Sequence, residues 1–460
     1  MASAPDPAAP PAACDLLISG ADLVTFDDEQ RLVPDGALAV RDGVIVDLGP
    51  RAEVERRWRP AERLDATGTV AAPGMVDAHV HTGQMLLRGL LSTLELRGAL
   101  KVPTWRHYYV PFEAQLSPED MRVSAELMVA TMLLGGTTSF FEAGAVHAGV
   151  LAQVADEMGI RALVSPNTMD DAPDLPASMV TTTDAALQAN VELVEQWPAG
   201  RRVSGAMSLR QITTCTPELI RLVSAEARTR GVRVHSHLVE GTYEIDYTLD
   251  RYGMRPIEHL MELGAFTDTL HAAHSVLVDD DDIASYRRHD VSVAHCAFGN
   301  YRIGAAPAIT MWRRGIRIGL GTDGPAMQGT LDVFRVAAAT GVVQQYLLAT
   351  PRHDRRGIPP TEPMAMATRG GARALGLDDR IGSLEVGKAA DLVLVDTDSP
   401  DAAAYTSAIA FYLESATGRD VRDVLVDGRV LVRDRVLTGT DHGEVVHRAN
   451  VAQRRLVEGW

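Results

Sequence analysis

The residues able to do chemistry in this chain form a pattern of metal-binding types. His79 and His81 stand two apart at the end of a short apolar run, MVDAHVH. In an extended strand that spacing turns both side chains to one face, where they can bind one ion. His237, His274 and Asp323 each close a further short run of the same texture. A lone buried histidine is more often a hydrogen-bonded core residue than a ligand. Five metal-binding residues at the ends of four separate runs point to a metal site.

The runs that must position them are residues 75–81, 137–144, 160–166, 202–209, 232–238, 269–276, 291–296 and 316–323. Segments of helical period lie between them; one, residues 117–136, has Ser117 as N-cap, Pro118 in the first turn and Gly135 near its end. Strands alternating with helices from 73 to 376 are what an α/β chain needs to build a (β/α)8 TIM-type barrel, with a doubly wound sheet as the competing architecture. A barrel carries its chemistry at the C-terminal strand ends, where these histidines and Asp323 fall. The flanking segments, 15–72 and 377–460, are β-rich and carry the hairpin-type pairs Asp42-Gly43 and Asp427-Gly428. Neither is large enough for its own core. They are expected to pair into an accessory β-sandwich built from both termini, followed by a terminal helix. Residues 1–14 read as a Pro/Ala-rich disordered tail.

Composition excludes several functions. The chain has 460 residues, and 44 Lys+Arg against 61 Asp+Glu leave a net charge of −17. Such an acidic chain is a poor partner for a nucleic-acid backbone, which needs clustered cations. No stretch reaches the roughly 18 apolar residues of a membrane span, and the N-terminus lacks the basic and apolar regions of a signal peptide. Cys14, Cys215 and Cys296 are odd in number and scattered, so neither a disulfide framework nor a CxxC metal site follows. A reducing cytoplasm is the expected location. Only two lysines occur, Lys101 and Lys388.

The ordered set PGMVDAHVH, QMLLRGL, HSHLVE, LHAAHS, VAHC and GLGTDG resembles the amidohydrolase superfamily over nearly the whole chain. More narrowly, it resembles the branch that contains S-adenosylhomocysteine and methylthioadenosine deaminases, guanine deaminase, cytosine deaminase and triazine hydrolases. The resemblance implies that His79, His81, His237 and Asp323 hold a divalent metal, zinc first and iron second. It also implies that Glu240 and His274 transfer protons. Physical chemistry gives these roles a reason: three neutral imidazoles and a carboxylate suit such an ion. Glu240, three residues past His237, falls where the chain turns over the strand ends and can protonate a ring nitrogen. His235 is expected behind the ligands, and His271 faces away. Superfamily members with two ions bridge them with a lysine ending the fourth strand. Here that strand has none, so one metal per chain is expected.

Substrate contacts are expected from Gln84, Arg210, Trp105 and His295. Gln84 and Arg210 resemble the guanine deaminase positions that read a ring amide and oxo group, with a structural ion pair as the competing role for Arg210. Trp105 opens an aromatic run that can cap a planar ring. His295 begins His295-Cys296-Ala297-Phe298-Gly299-Asn300, which departs from the HCPxSN-like pattern by losing its proline and serine. The expected activity is hydrolytic removal of an exocyclic amine from a small N-heteroaromatic ring of purine, pterin, pyrimidine or triazine type. The alternatives are hydrolysis of a cyclic amide or another leaving group, and a non-catalytic scaffold of the same fold. A homo-oligomer, dimer or tetramer, is expected, with no nucleic-acid or membrane partner.

Overall fold

The computed structural model of the chain describes residues 11–458 and 460. The first ten positions of the expected tail lie outside the described residues. The chain divides into two compact units, one of residues up to 76 with 132–139 and 332–440, the other of 77–131, 140–331 and 441–460.

The first unit contains a nine-stranded mixed sheet to which both ends of the chain contribute. Its two contributions meet where Leu392–Asp396 pairs antiparallel with Thr69–Pro73. Leu16, Ile18, Leu38, Leu392 and Leu425 pack one core from both contributions, which accounts for neither being sufficient alone. Asp42 and Gly43 have φ of 51° and 76°, and Asp427 and Gly428 have 46° and 70°. These positive values are what Asp-Gly supplies to a two-residue hairpin turn.

The first strand, Ala12–Val24, begins inside the expected tail. Ala12 and Cys14 pair with Trp58 and Pro60, and Cys14 is buried with Trp58, so the apolar end of that segment is held by a neighbouring strand. Residues 332–376, expected with the barrel, also belong to this unit. Asp332 caps the helix Val333–Gln344 and accepts a hydrogen bond from Gly418 N at 3.1 Å, which ties that helix to the C-terminal part of the unit.

The second sheet also has nine strands, and every pairing with a described register is parallel. Its order is Met207–Gln211, Val234–Leu238, Leu270–His274, Ser292–His295, Ile318–Leu320, Met75–Val80, Thr137–Glu142, Arg161–Val164 and Val203–Gly205. The first and last of these are separated in the chain by Ala206 alone, so the sheet curls back toward its own start. All residues of these strands are buried, and helices such as Pro118–Leu134 and Pro217–Arg230 connect them, as a parallel sheet covered on its outer face requires. The C-terminal helix His442–Val457 belongs to this second unit, where Arg448 pairs with Glu126 and Arg455 with Asp120. Among the described residues no helix is long and apolar enough to cross a membrane.

Candidate active site

Strand alternation does what the spacing predicts. His79 and His81 converge from the end of Met75–Val80, and His237 meets them from Val234–Leu238. His81 Nε2 lies 3.1 Å from His237 Nε2, and Asp323 Oδ1 lies 3.3 Å from His79 Nε2 and 3.7 Å from His81 Nε2. His274, the last residue of its strand, turns toward the same point, and its ligand atom lies within 4.8 Å of those of His79 and Asp323. The backbone is bent to achieve this: His274 and Asp323 have φ of 74° and 62°, a region sparsely used by non-glycine residues. Asp323 N donates to the His79 carbonyl at 2.9 Å, so the strand ends of these two residues fix each other. A Cβ on Gly299 would fall 2.5 Å from Asp323 Oδ2. The glycine that replaces the serine of the resembled pattern therefore leaves room for this carboxylate.

Partners behind the cluster set its polarity. His237 donates from Nδ1 to the Arg210 carbonyl at 2.7 Å, leaving a lone pair on Nε2. His79 Nδ1 is 2.8 Å from His235 Nε2, which directs His79 Nε2 to the cluster and places His235 behind it. His271 is engaged elsewhere, with Ser292 Oγ and the Ala78 carbonyl, both at 2.9 Å. Burial pushes His79, His81 and His237 below the usual imidazole range, so they are neutral. Asp323 is driven the opposite way: burial opposes ionisation, but the hydrogen bond from His79 and the neighbouring imidazoles hold its carboxyl well below the usual range. Three neutral imidazoles and an ionised carboxylate facing one point at these distances fit a divalent cation. For His274, burial works against protonation, but the charges of Glu240 and Asp323 and the bond to Asn300 raise its affinity for a proton. Its Nδ1 donates to Asn300 Oδ1 at 3.0 Å, and its Nε2 is buried without a partner.

A cavity of about 570 Å³ opens beside this cluster, with Asp323, Glu240, Trp105, Tyr109 and Tyr243 in its wall. Glu240 Oε2 accepts from Tyr243 at 2.8 Å. The Trp105 and Tyr243 rings lie 6.1 Å apart, centre to centre. The other expected substrate contacts are differently placed. Arg210 is buried and donates to Glu113 at 2.9 and 3.5 Å, the ion pair that was its competing role. Gln84 Nε2 donates to the same Glu113 at 3.1 Å, leaving Gln84 Oε1 buried and unpartnered. His295 is outside the cavity wall; its nitrogens lie 3.0 Å from the Tyr301 hydroxyl and 3.3 Å from Asn300 Nδ2. Glu113, Asn300, Tyr243 and Gln211 escaped the sequence reading. Only Asn300, the surviving asparagine of the altered pattern, carried a usable signal.

A parallel sheet with imidazoles and a carboxylate gathered around a cation position at its C-terminal strand ends defines a metal-dependent hydrolase. Residues 70–431 match the amidohydrolase family, and the chain belongs to it. It is 31% identical over 446 residues to a 5-methylthioadenosine/S-adenosylhomocysteine deaminase of Pelotomaculum thermopropionicum, covering 96% of this chain and 99% of that protein. A protein of the same name from Desulforudis audaxviator is 34% identical over 431 residues, 92% of this chain and 95% of the relative. Among solved structures, a zinc-bound adenosine deaminase of Xanthomonas campestris superposes with a TM-score of 0.89 at 31% identity, covering 97% of this chain and 99% of that one. An atrazine chlorohydrolase of Arthrobacter aurescens complexed with zinc gives 0.80 at 25% identity, covering 95% and 100%.

Proposed function

We propose that this protein is a hydrolytic deaminase that removes an exocyclic amine from an N-heteroaromatic ring of purine, pterin, pyrimidine or triazine type. The observation that carries this reading is the convergence of His79, His81, His237 and Asp323 beside His274 and Glu240 at one cavity. The first four would hold one ion per chain, zinc as in the two solved relatives, since the strand Met207–Gln211 offers no lysine to bridge a second. That ion supplies the Lewis acidity that makes water a nucleophile at neutral pH. Glu240 protonates the ring nitrogen next to the carbon under attack. His274, through its unpartnered Nε2, and Asp323 take the proton of the attacking water and pass it to the departing amine. Water and the aminated ring thus become ammonia and the oxo ring. Trp105 and Tyr109 cap the ring plane, while Gln84 and Arg210 donate to Glu113 and do not line the cavity. The curled parallel sheet supports a (β/α)8 barrel as the scaffold, and the mixed sheet supports an accessory sandwich.

A second reading keeps the site and changes the leaving group, and it is favoured by the likeness to the atrazine chlorohydrolase. An ammonia-release screen across aminated purines, pterins, pyrimidines and triazines separates the two. Ammonia from at least one class, lost on chelation and restored by zinc, is the expected result. A zinc-loaded protein that releases no ammonia from any of them would overturn the deaminase reading, and a metal-free protein that remains active would overturn the role given to the ion.

A further inference from the structure

On the basis of the deaminase reading above, we propose that Tyr243 and Gln211 are positioning residues that fix one oxygen of Glu240 and present the other to the substrate ring. Four hydrogen bonds of one polarity run toward this carboxylate. Thr213 donates its single hydroxyl proton to Gln211 Oε1 at 2.9 Å. The amide nitrogen of Gln211 therefore faces the Tyr243 oxygen at 2.9 Å and Glu240 Oε2 at 3.5 Å. A flipped amide would set its oxygen against the carboxylate, acceptor on acceptor. With its oxygen already accepting, Tyr243 has one proton to give, and it goes to Glu240 Oε2 at 2.8 Å. Burial and the Glu240 charge push the Tyr243 phenol well above its usual range, which keeps that proton in place.

The main chain of Glu240 is fixed independently. Glu244 Oε1 accepts from Glu240 N at 2.7 Å, and its Oε2 accepts from Val239 N at 2.9 Å. Val239 itself has φ of 52°, so this turn is held against a conformation unusual for a β-branched residue. Backbone and Oε2 are both anchored, while Oε1 has no hydrogen-bond partner among the described residues and is the oxygen left for proton exchange. Tyr243 is suited to this task by its place: it is in the first turn of the helix Thr242–Tyr252, three residues after the carboxylate it holds, with its ring in the cavity wall. Proton transfer falls steeply with misalignment of donor and acceptor, so this chain of bonds should act on turnover more than on binding.

The test is steady-state deamination by zinc-loaded wild type, Y243F, Q211L, E240Q and Y243F/E240Q, with zinc content measured for each. Y243F deletes one hydroxyl and should keep zinc and KM (within about 2-fold) while kcat falls on the order of 10-fold. Q211L should move kcat in the same direction by less. In the E240Q background the Y243F change should have almost no further effect, because the carboxylate it positions is gone. Wild-type kcat in Y243F, or an equal loss in the E240Q background, would overturn the positioning role while leaving the deaminase reading intact. A wild type that hydrolyses no ring substrate would overturn both.

Discussion

Replacing Glu113 with leucine should cost more stability than replacing its partner Arg210 with methionine. Each residue is only 4% exposed, and Glu113 accepts from Arg210 and from Gln84 Nε2. Glu113→Leu leaves a buried guanidinium that cannot give up its charge, and a Gln84 amide without its acceptor. Breaking a buried pair costs about 3–5 kcal/mol and stranding a neutral donor about 1 more, so roughly 4–6 kcal/mol is expected. Arg210→Met leaves a carboxyl, which can take up a proton and still accept from Gln84. Its expected cost is about 1–3 kcal/mol. The double variant removes both charges and should fall well short of the sum of the single losses. Urea unfolding at pH 7 of the zinc-loaded proteins measures all three. Additive losses, or a larger loss for Arg210→Met, would refute the reasoning. The same Arg210→Met protein tests substrate reading: if Arg210 also donates to a ring oxo group, preference for guanine- or pterin-like over adenosine-like compounds should narrow.

Three further outcomes are expected. His237→Ala should lose both zinc and turnover, because three remaining ligands hold a borderline ion poorly; elemental analysis showing full zinc would contradict its role. Glu240→Gln should keep zinc and lose on the order of 10²-fold or more in kcat, and near-normal turnover would make Glu240 a bystander. Glu142, buried and bonded to Thr82 N at 3.0 Å, has its carboxyl pushed up to about 8 by burial, from an ordinary 4.5. Its folded form holds a proton that its unfolded form has already lost between those values. Its contribution is thus complete below about pH 4.5 and is lost as pH rises through 8, on the order of 5 kcal/mol in all. Unfolding curves of wild type and Glu142→Gln should therefore converge or cross between pH 5 and 8 in a way set by this loss, and parallel stability–pH profiles would refute it.

The clustered histidines were legible because they lie in strand register. Period-two alternation alone puts His79 and His81 on one face, and apolar runs mark the strands near whose C-terminal ends His237 and His274 lie and just past which Asp323 falls. Glu113 was not legible, because it reaches Arg210 from a four-residue helix, Val110–Glu113, far away in sequence. Tyr243 and Gln211 find Glu240 only after a strand end and a helix start have been brought together. Arg210 was read with its two roles balanced, since spacing shows that a guanidinium is near but not what it faces. Pairing of the chain ends into one sheet was legible from the insufficiency of each part. The place of the helix His442–Val457 was not, because its Arg448 and Arg455 name a charge preference and not the helix that satisfies it.

The two residues that face each other across the cation position, His79 and Asp323, are 244 positions apart in the chain. A ribosome must make about seven-tenths of the polypeptide before the site has its full complement of donors. An ion that needs all four donors could not template early folding. It can only bind a sheet whose strands have already found their neighbours, and its binding free energy then falls entirely on that finished state. An ion bound by this cluster would act as a seal on completed assembly, and partly made or mispaired chains would be recognisable by their failure to retain it.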